Sequence, residues 1–158
     1  MDIRRDQDAW HFGQMNPFEA DLLRMLPGCA VVDDDKAGQR IFSSVTAGAD
    51  EEMDAEWKEN VEPDLRELFQ SHLDVVVGDL AGMKTQDGMA SMQFPAAHAR
   101  AWIHTLNQAR LALAARHDFT EDHIEGRRKV RKEDKVFALM QIDIYGTLLS
   151  LLLRHTEI

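Results

Sequence analysis

The fold is decided by residues 133–155, which read EDKVFALMQIDIYGTLLSLLLRH. Apolar side chains recur on one side of this stretch at the spacing of an α-helix, at Phe137, Met140, Ile144, Leu148 and Leu151. Further apolar residues widen that side until they surround most of the helix: Val136, Leu139, Tyr145, Leu149, Leu152 and Leu153. A helix that is apolar nearly all round is buried in a core. The stretch therefore predicts a long final helix that is either central in a bundle or shared with a second copy in a homodimer.

Two upstream stretches predict further long helices. The first follows Pro63, which either kinks the preceding helix or opens a new one. It carries apolar residues at steps of three and four: Leu65, Phe69, Leu73, Val76, Leu80 and Met83. The second begins at Pro95 and runs to about His117, with the stripe Trp102, Leu106, Ala109 and Leu113. Proline suits the first position of a helix, because an N–H there would have no partner. We expect Trp57 and Trp102 to fill the core between these helices.

Shorter helices precede the long ones. Asn16 can cap a helix that starts at Pro17, with Glu19 placed to complete a capping box. The Pro-Gly pair at residues 27–28 predicts the end of this helix. Asp50 predicts the start of another, because a carboxylate is stabilised at the positive end of the helix dipole.

The remaining stretches predict little regular structure. Residues 3–12 have the pattern of a small hairpin, and residues 89–94 that of a short extended segment. We expect residues 29–49 to be irregular, and Thr120 to cap a short helix. The fold class is therefore mainly α: a single-domain helical bundle over residues 1–158, with three long helices, shorter N-terminal helices and short β segments.

The composition is that of a globular protein. The chain has 158 residues, of which 44% are hydrophobic and 29% charged, which excludes collagen, a disulfide scaffold and a wholly disordered chain. Its single cysteine, Cys29, suits a reducing cytoplasm. No apolar run follows the N-terminus, and the most apolar stretch, residues 148–153, falls short of a membrane span. We therefore expect a cytoplasmic protein with no membrane partner.

The charges are unevenly distributed along the chain. With 28 acidic and 18 basic side chains the net charge is −10, which argues against nucleic acid as a partner because phosphates are repelled. Acidic residues concentrate in residues 50–67. Basic residues concentrate in residues 127–132, here named the basic segment: Arg127, Arg128, Lys129, Arg131 and Lys132. The basic segment predicts either a docking face for an anionic partner, namely an acidic protein surface, a phosphate-bearing ligand or RNA, or a solvated loop that offsets the acidic field of residues 50–67 in its own or a neighbouring chain. We expect an unidentified protein partner, because the segment lacks the interleaved aromatic residues of a nucleic-acid site.

Known catalytic and cofactor motifs are missing from the sequence. No two of the seven histidines are three or four residues apart, and no Glu-x-x-His occurs, so helical metal sites lack their signature. Glycine-rich phosphate loops and the nucleophile elbow do not occur either. Cys29 has no adjacent base. We therefore expect no catalytic residue, metal or cofactor, although a site assembled from distant residues stays open.

Polar residues that interrupt the apolar stripes offer an alternative. Asn107 and Arg110 lie one turn apart, and Asp143 interrupts the final helix. If the long helices pack together, Arg110 can meet Asp79 or Asp143 in a partly buried ion pair that fixes helix register. Alternatively, Asn107, Arg110 and Asp143 could line the pocket of an enzyme or a ligand-binding domain.

The stretch from Trp102 to Leu113 reads WIHTLNQARLAL, and residues 145–149 read YGTLL. Together they resemble an uncharacterised family of small bacterial proteins catalogued as a domain of unknown function. The family pattern is a Trp, then Leu-Asn-x-x-Arg-Leu-x-Leu, a charged linker, and a final helix with an aromatic residue and leucines. The resemblance implies that Trp102, Asn107 and Arg110 are characteristic positions with a structural role. This chain departs from the pattern in its linker, where the basic segment replaces a more acidic one.

The resemblance also bears on function, because members in actinobacteria are encoded next to the adaptor of the Clp protease. This neighbourhood implies a regulatory or adaptor role. The sequence as a whole predicts a non-catalytic helical interaction or regulatory protein with a charged docking face. The alternative is an enzyme or ligand-binding domain with a pocket around Asn107, Arg110 and Asp143.

Overall fold

A computed structural model describes residues 1–44, 46 and 48–156. This part of the chain is 64% helical and combines seven α-helices with a four-stranded antiparallel sheet. The elements are β1 (Asp2–Arg5), β2 (Ala9–Met15), α1 (Pro17–Ala30), α2 (Asp35–Phe42), α3 (Glu51–Asn60), α4 (Glu62–Leu80), β3 (Lys84–Gln86), β4 (Met89–Pro95), α5 (Ala99–Arg116), α6 (Glu121–Ile124) and α7 (Glu133–Arg154). The mainly helical class is confirmed, and the three long helices are α4, α5 and α7.

The sheet is larger than the short β segments that we expected. Its strand order is β1-β2-β4-β3, and β2 and β4 have seven residues each. Trp10 pairs with Phe94 and Phe12 with Met92, so that alternate side chains of both strands face the core. The hairpin predicted within residues 3–12 is confirmed as β1 and β2.

The hairpin between β3 and β4 is not among our predictions, which place only a short extended segment at residues 89–94. Asp87 and Gly88 form the turn of this hairpin, with φ angles of 51° and 78°. Positive φ at both positions is typical of a tight two-residue hairpin turn, for which Asp-Gly is a strong sequence signal. This turn adds β3 to the sheet beside β4.

The core is built around α5, which packs against α1, α2, α4 and α7. Trp102 on α5 is fully buried, and its ring stacks on Phe94 of the sheet with ring centroids 4.7 Å apart. Phe12 meets the same indole ring edge-on at 6.0 Å. The sheet and the helices therefore share one core, with α5 rather than the final helix at its centre.

The final helix α7 packs along α5 and also reaches α1. The hydroxyl group of Tyr145, which is fully buried, donates to the carbonyl oxygen of Leu22 at 2.6 Å. Some apolar residues of α7 stay on the surface, among them Val136 and Leu153, whose exposures are 47% and 45%. The predicted helix is confirmed, whereas a homodimer through it stays a prediction.

By length and composition, α7 is the one helix in the described part of the chain that could cross a membrane. Its most apolar window has a mean hydropathy of 1.8, and 39% of that window is buried. Our expectation concerned the run at residues 148–153, whereas α7 as a whole is longer than that run. A core helix of a soluble protein can have the same length and composition.

The ends of the N-terminal helices differ in part from the predictions. The capping box of α1 is present, with Glu19 N–H donating to Asn16 Oδ1 at 2.8 Å. The predicted stop at residues 27–28 is wrong: α1 continues to Ala30, and Val31 N–H donates to the carbonyl oxygen of Pro27. The stretch expected to be irregular contains α2, which begins where Ala37 N–H donates to the carboxylate of Asp34.

We predict a low pKa for Asp6 in the turn between β1 and β2. Its carboxylate lies 2.6 Å from His11 Nε2 and accepts the N–H groups of Asp8 and Ala9, which lower its pKa from 3.8 to about 2. Because the pKa is lower in the folded state, this contribution to stability is present above about pH 4 and is lost as the pH falls towards about 2.

The titration of the Asp6 carboxyl carbon can be followed by NMR. We expect a midpoint near pH 2 in the parent protein and a midpoint closer to 3.8 in His11→Gln, which removes the largest cause of the shift. A parent midpoint near 4, or one that is the same in the variant, would contradict this account of the turn.

Candidate functional site

A cleft lies between α2, α3 and the first turns of α4, with a volume of about 680 Å³. Cavities of this size are typical of ligand sites. Carboxylates dominate its charged lining: Asp33, Asp34, Asp35, Asp54 and Glu62, against the two cations Lys58 and Arg66. The aromatic side chains of Phe42 and Trp57 also line it. We refer to this site as the acidic cleft.

One wall of the acidic cleft is held by Arg116 at the end of α5. Its Nε donates to Asp34 at 2.9 Å, and its other nitrogens donate to the carbonyl oxygens of Cys29 and Val31. Burial alone would raise the pKa of Asp34, but the hydrogen bonds from Ala37 N–H and Arg116 lower it below the ordinary value. Arg116 therefore fixes the end of α1 and the start of α2 together.

The opposite wall is α3, which has no buried residue. On this helix, the indole N–H of Trp57 donates to the carbonyl oxygen of Phe42 at 2.8 Å. The hydroxyl groups of Ser44 and Thr46 donate to the carboxylate of Asp54 and lower its pKa. These bonds attach α3 to the end of α2 and to the segment that follows it, so that Trp57 lines the cleft instead of filling the core as predicted.

Arg66 of α4 forms the floor of the cleft. Its guanidinium group lies 4.1 Å from the centre of the Phe42 ring and pairs with Glu62 at 2.9 Å. A smaller cavity of about 110 Å³ continues past Arg66 towards Phe69 and Leu73. The charge of Arg66 is thus already paired, and the space behind it is partly apolar.

Two carboxylates at the mouth of the cleft have no partner in the described part of the chain. Asp33 and Asp35 are exposed, and neither forms an ion pair or a side-chain hydrogen bond there. Free carboxylates attract cations, and aromatic walls accept a guanidinium group or an aliphatic stem. The arrangement can therefore bind a cationic side chain.

The basic segment, predicted as the docking face, is exposed. Arg127 is engaged with Asp122, at 3.0 Å, and with Glu125. The other four bases form no ion pair within the residues that the structure describes: Arg128, Lys129, Arg131 and Lys132. The basic segment lines neither of the two cavities described above. None of its side chains forms a described ion pair with residues 50–67 of the same chain.

Trp102, the first family-pattern residue, ties α5 to the end of α4. Its indole N–H donates to Asp79 Oδ2 at 2.9 Å, and His98 Nδ1 lies 2.9 Å from the other oxygen. The side chain of Asp79 is only 10% exposed. This arrangement supports the structural role that the resemblance implies for Trp102.

The predicted ion pair of Arg110 is wrong. Asp79 binds His98 and Trp102 instead, because the end of α4 meets the first turns of α5, while Arg110 lies about 12 Å further along the helix. Asp143, the other predicted partner, is exposed and forms no described ion pair. Asn107 is also exposed, and neither cavity described above is lined by Asn107, Arg110 or Asp143.

Arg110 instead packs against α7 at Gly146. A Cβ atom at Gly146 would lie 3.2 Å from Arg110 Nε and 3.4 Å from its Cζ. Arg110 Nε is buried and has no hydrogen-bond partner among the described residues. Glycine at this position therefore lets the guanidinium group lie against the backbone of α7, which explains why the two positions matter for the packing of α5 and α7.

The acidic residues of the cleft were not found from the sequence as a site. Residues 33–35 read Asp-Asp-Asp and lie in the stretch that we expect to be irregular. The sequence does contain a signal for α2. Asp34 is a suitable N-cap, and Ala37, Ile41 and Phe42 have the spacing of a short amphipathic helix. Nothing in the sequence indicates that Arg116, more than 80 residues later, binds this turn.

The fold and the site together define a small, mainly helical protein with a polar cleft beside a four-stranded sheet. The chain matches the family described as Domain of unknown function (DUF2017) over residues 2–155, and it therefore belongs to that family. The resemblance drawn from the WIHTLNQARLAL stretch is confirmed, while the genomic neighbourhood stays a prediction. No curated protein and no solved structure matches the chain.

We predict that Gly146 and Arg110 are energetically coupled. Gly146→Ala should lower the free energy of unfolding by about 1 kcal/mol, because crowding in a packed interface, typically ~1–3 kcal/mol, exceeds the ~1 kcal/mol gained from helix propensity. In an Arg110→Ala background the same change should be neutral or stabilising. Urea unfolding of the two single variants and the double variant measures the coupling.

Gly78→Ala is the matched control for this cycle. Gly78 lies on α4, and a Cβ atom there would meet nothing within 4 Å, so we expect a gain of up to about 1 kcal/mol from propensity alone. An identical effect of Gly146→Ala in both backgrounds would show that Arg110 does not determine the need for glycine.

Proposed function

We propose that the protein is a non-catalytic binding protein, of an interaction or regulatory kind, whose acidic cleft receives a cationic segment of a partner protein. The observation that carries the proposal is a pair of exposed carboxylates, Asp33 and Asp35, which have no partner among the described residues and lie at the mouth of a cleft of about 680 Å³. The proposal keeps the predicted charged docking face but assigns it to the cleft.

The charge balance of the cleft favours a cationic ligand. Five carboxylates line it against two cations, and one of these, Arg66, is paired with Glu62. The net charge of −10 on the chain adds an attractive field for a basic partner. Trp57 offers an aromatic surface on which an arginine or lysine side chain can lie.

The cleft is preferred to the basic segment as the docking face for a physical reason. A cleft combines charge with a shaped, partly apolar surface, whereas exposed ion pairs alone contribute only about 0–1 kcal/mol each. Residues 127–132 supply charge on an exposed loop. Binding in the cleft can therefore be specific as well as attractive.

The side chains of the cleft support binding more than catalysis. No histidine or cysteine side chain lines its described part. The hydroxyl groups of Ser44 and Thr46 donate to Asp54, which orders the wall. The pocket that the sequence suggested around Asn107, Arg110 and Asp143 has less support, because two of these residues are exposed and the third packs against Gly146.

We predict that a tetra-arginine peptide binds in the acidic cleft and changes the fluorescence of Trp57. Trp57 is half-buried, while Trp10 and Trp102 are 2% and 0% exposed, so the signal reports the cleft. Replacing Asp33 and Asp35 together by asparagine should weaken binding about three- to tenfold, since each exposed pair contributes ~0.2–1 kcal/mol. Fluorescence titration measures both affinities, with tetra-glutamate as the negative peptide.

The matched control is the double variant Glu59→Gln and Glu67→Gln. It removes the same number of charges from the acidic residues 50–67 without touching the lining of the cleft, and binding should change less than about twofold. An equal loss in both double variants would show attraction to the general acidic field only. Absence of any binding by the parent would overturn the proposed function.

A further inference from the structure

We propose that the cationic occupant of the acidic cleft is the basic segment of a second copy of this chain, so that the protein forms a dimer by reciprocal exchange of the two surfaces. This inference rests on the proposed function, because it requires a cleft that binds cations. It assigns a role to residues 127–132, the strongest unusual feature of the sequence, in place of a solvated loop.

The first argument is charge complementarity. The basic segment holds five of the 18 basic residues of the chain, and four of them form no ion pair in the described structure: Arg128, Lys129, Arg131 and Lys132. The cleft presents Asp33 and Asp35, which also have no partner there. The described part of the chain thus carries two exposed surfaces of opposite charge, each with charged side chains that form no ion pair within it.

The second argument is their position in the fold. Arg116 and Asp118, at the end of α5, bind Asp34 and Lys36 at the start of α2. Lys135, at the start of α7, donates to the carbonyl oxygen of His117. The loop that carries the basic segment therefore begins and ends beside the mouth of the cleft.

This placement is suited to a two-fold dimer. In a two-fold interface each contact occurs twice, with the roles of the two copies exchanged. Because the segment and the cleft lie at the same end of the molecule, one axis between two such ends can bring both pairs of surfaces together. The dimer closes on itself and leaves neither surface free.

The segment forms no described ion pair with the cleft of its own chain, and both of its ends bond to neighbouring residues. Arg128 N–H donates to the carbonyl oxygen of Asp122 at 2.9 Å, and the side chain of Arg127 binds Asp122 and Glu125. At the other end, Val136 N–H donates to the carbonyl oxygen of Lys132, in the first turn of α7. Both ends of the segment are fixed, so a second copy is the occupant that needs no refolding.

The overall negative charge of both copies does not prevent this contact. At about 0.1 M salt the screening length is about 10 Å, so distant charges on the two copies interact weakly, while charges in contact are screened much less. We therefore expect dimerisation at about 0.1 M salt and its loss at about 0.5 M, which contacts between apolar surfaces would resist.

Sedimentation velocity over a range of concentrations tests the inference with three proteins. The parent should dimerise at about 0.1 M salt. The segment variant replaces Arg128, Lys129, Arg131 and Lys132 by glutamine and retains Arg127, which binds α6. The cleft variant is Asp33→Asn with Asp35→Asn. Each variant alone should dimerise at least tenfold more weakly than the parent.

A mixture of the two variants provides the sharpest readout. The segment variant retains an intact cleft and the cleft variant retains an intact segment, so their heterodimer keeps one of the two contacts. We expect the equimolar mixture to form heterodimers at concentrations where each variant alone is monomeric. General loss of charge attraction would not produce this complementation.

Three results would overturn the inference. If the parent protein stays monomeric at every concentration, the proposed dimer does not exist. If tetra-arginine still binds the cleft in that case, the proposed function is retained and only the dimer is rejected. A dimer that both variants and high salt leave unchanged would be formed by another surface, such as α7. A salt-sensitive dimer whose variants fail to complement each other would place the contact outside the segment and the cleft.

Discussion

The structure depends on the burial of Trp102, because this one side chain joins three parts of the fold. Its ring stacks on Phe94 of the sheet, and its indole N–H reaches Asp79 of α4, while its backbone belongs to α5. A buried carboxylate is costly unless hydrogen-bonded, and Asp79 obtains its partners from Trp102 and His98. The sheet, α4 and α5 are therefore fixed relative to one another by contacts that do not involve the more exposed α3.

At the far end of α5, Arg116 connects that rigid centre to the cleft. It binds the carbonyl oxygens at the end of α1 and the carboxylate that caps α2. Without this guanidinium group the last carbonyl groups of α1 would need other partners. The cleft is consequently an extension of the core helix. The outer helix α3 lines it and is joined to the end of α2 and the segment that follows by the bonds of Trp57 and Asp54.

Much of the fold could be predicted from local patterns. The capping box at Asn16 and the helical periodicity of α4, α5 and α7 are properties of neighbouring residues, and the structure contains the capping box and all three helices. The predicted partner of Arg110 was wrong, because which helices touch, and at which turn, depends on packing across the whole chain. The role of Gly146 could not be predicted either, because it depends on the packing of Arg110 against this glycine from another helix.

The cleft could not be predicted because its charges come from separate parts of the sequence. Asp33 and Asp35 belong to a turn, Asp54 to α3 and Glu62 to α4, and none of these stretches alone encloses a volume. A run of like charges is visible in a sequence, but its binding strength depends on the shape that surrounds it, since exposed charges in water attract only weakly. The basic segment could be recognised in the sequence because its charges are consecutive. The acidic cleft that complements it exists only once α2, α3 and α4 have folded together.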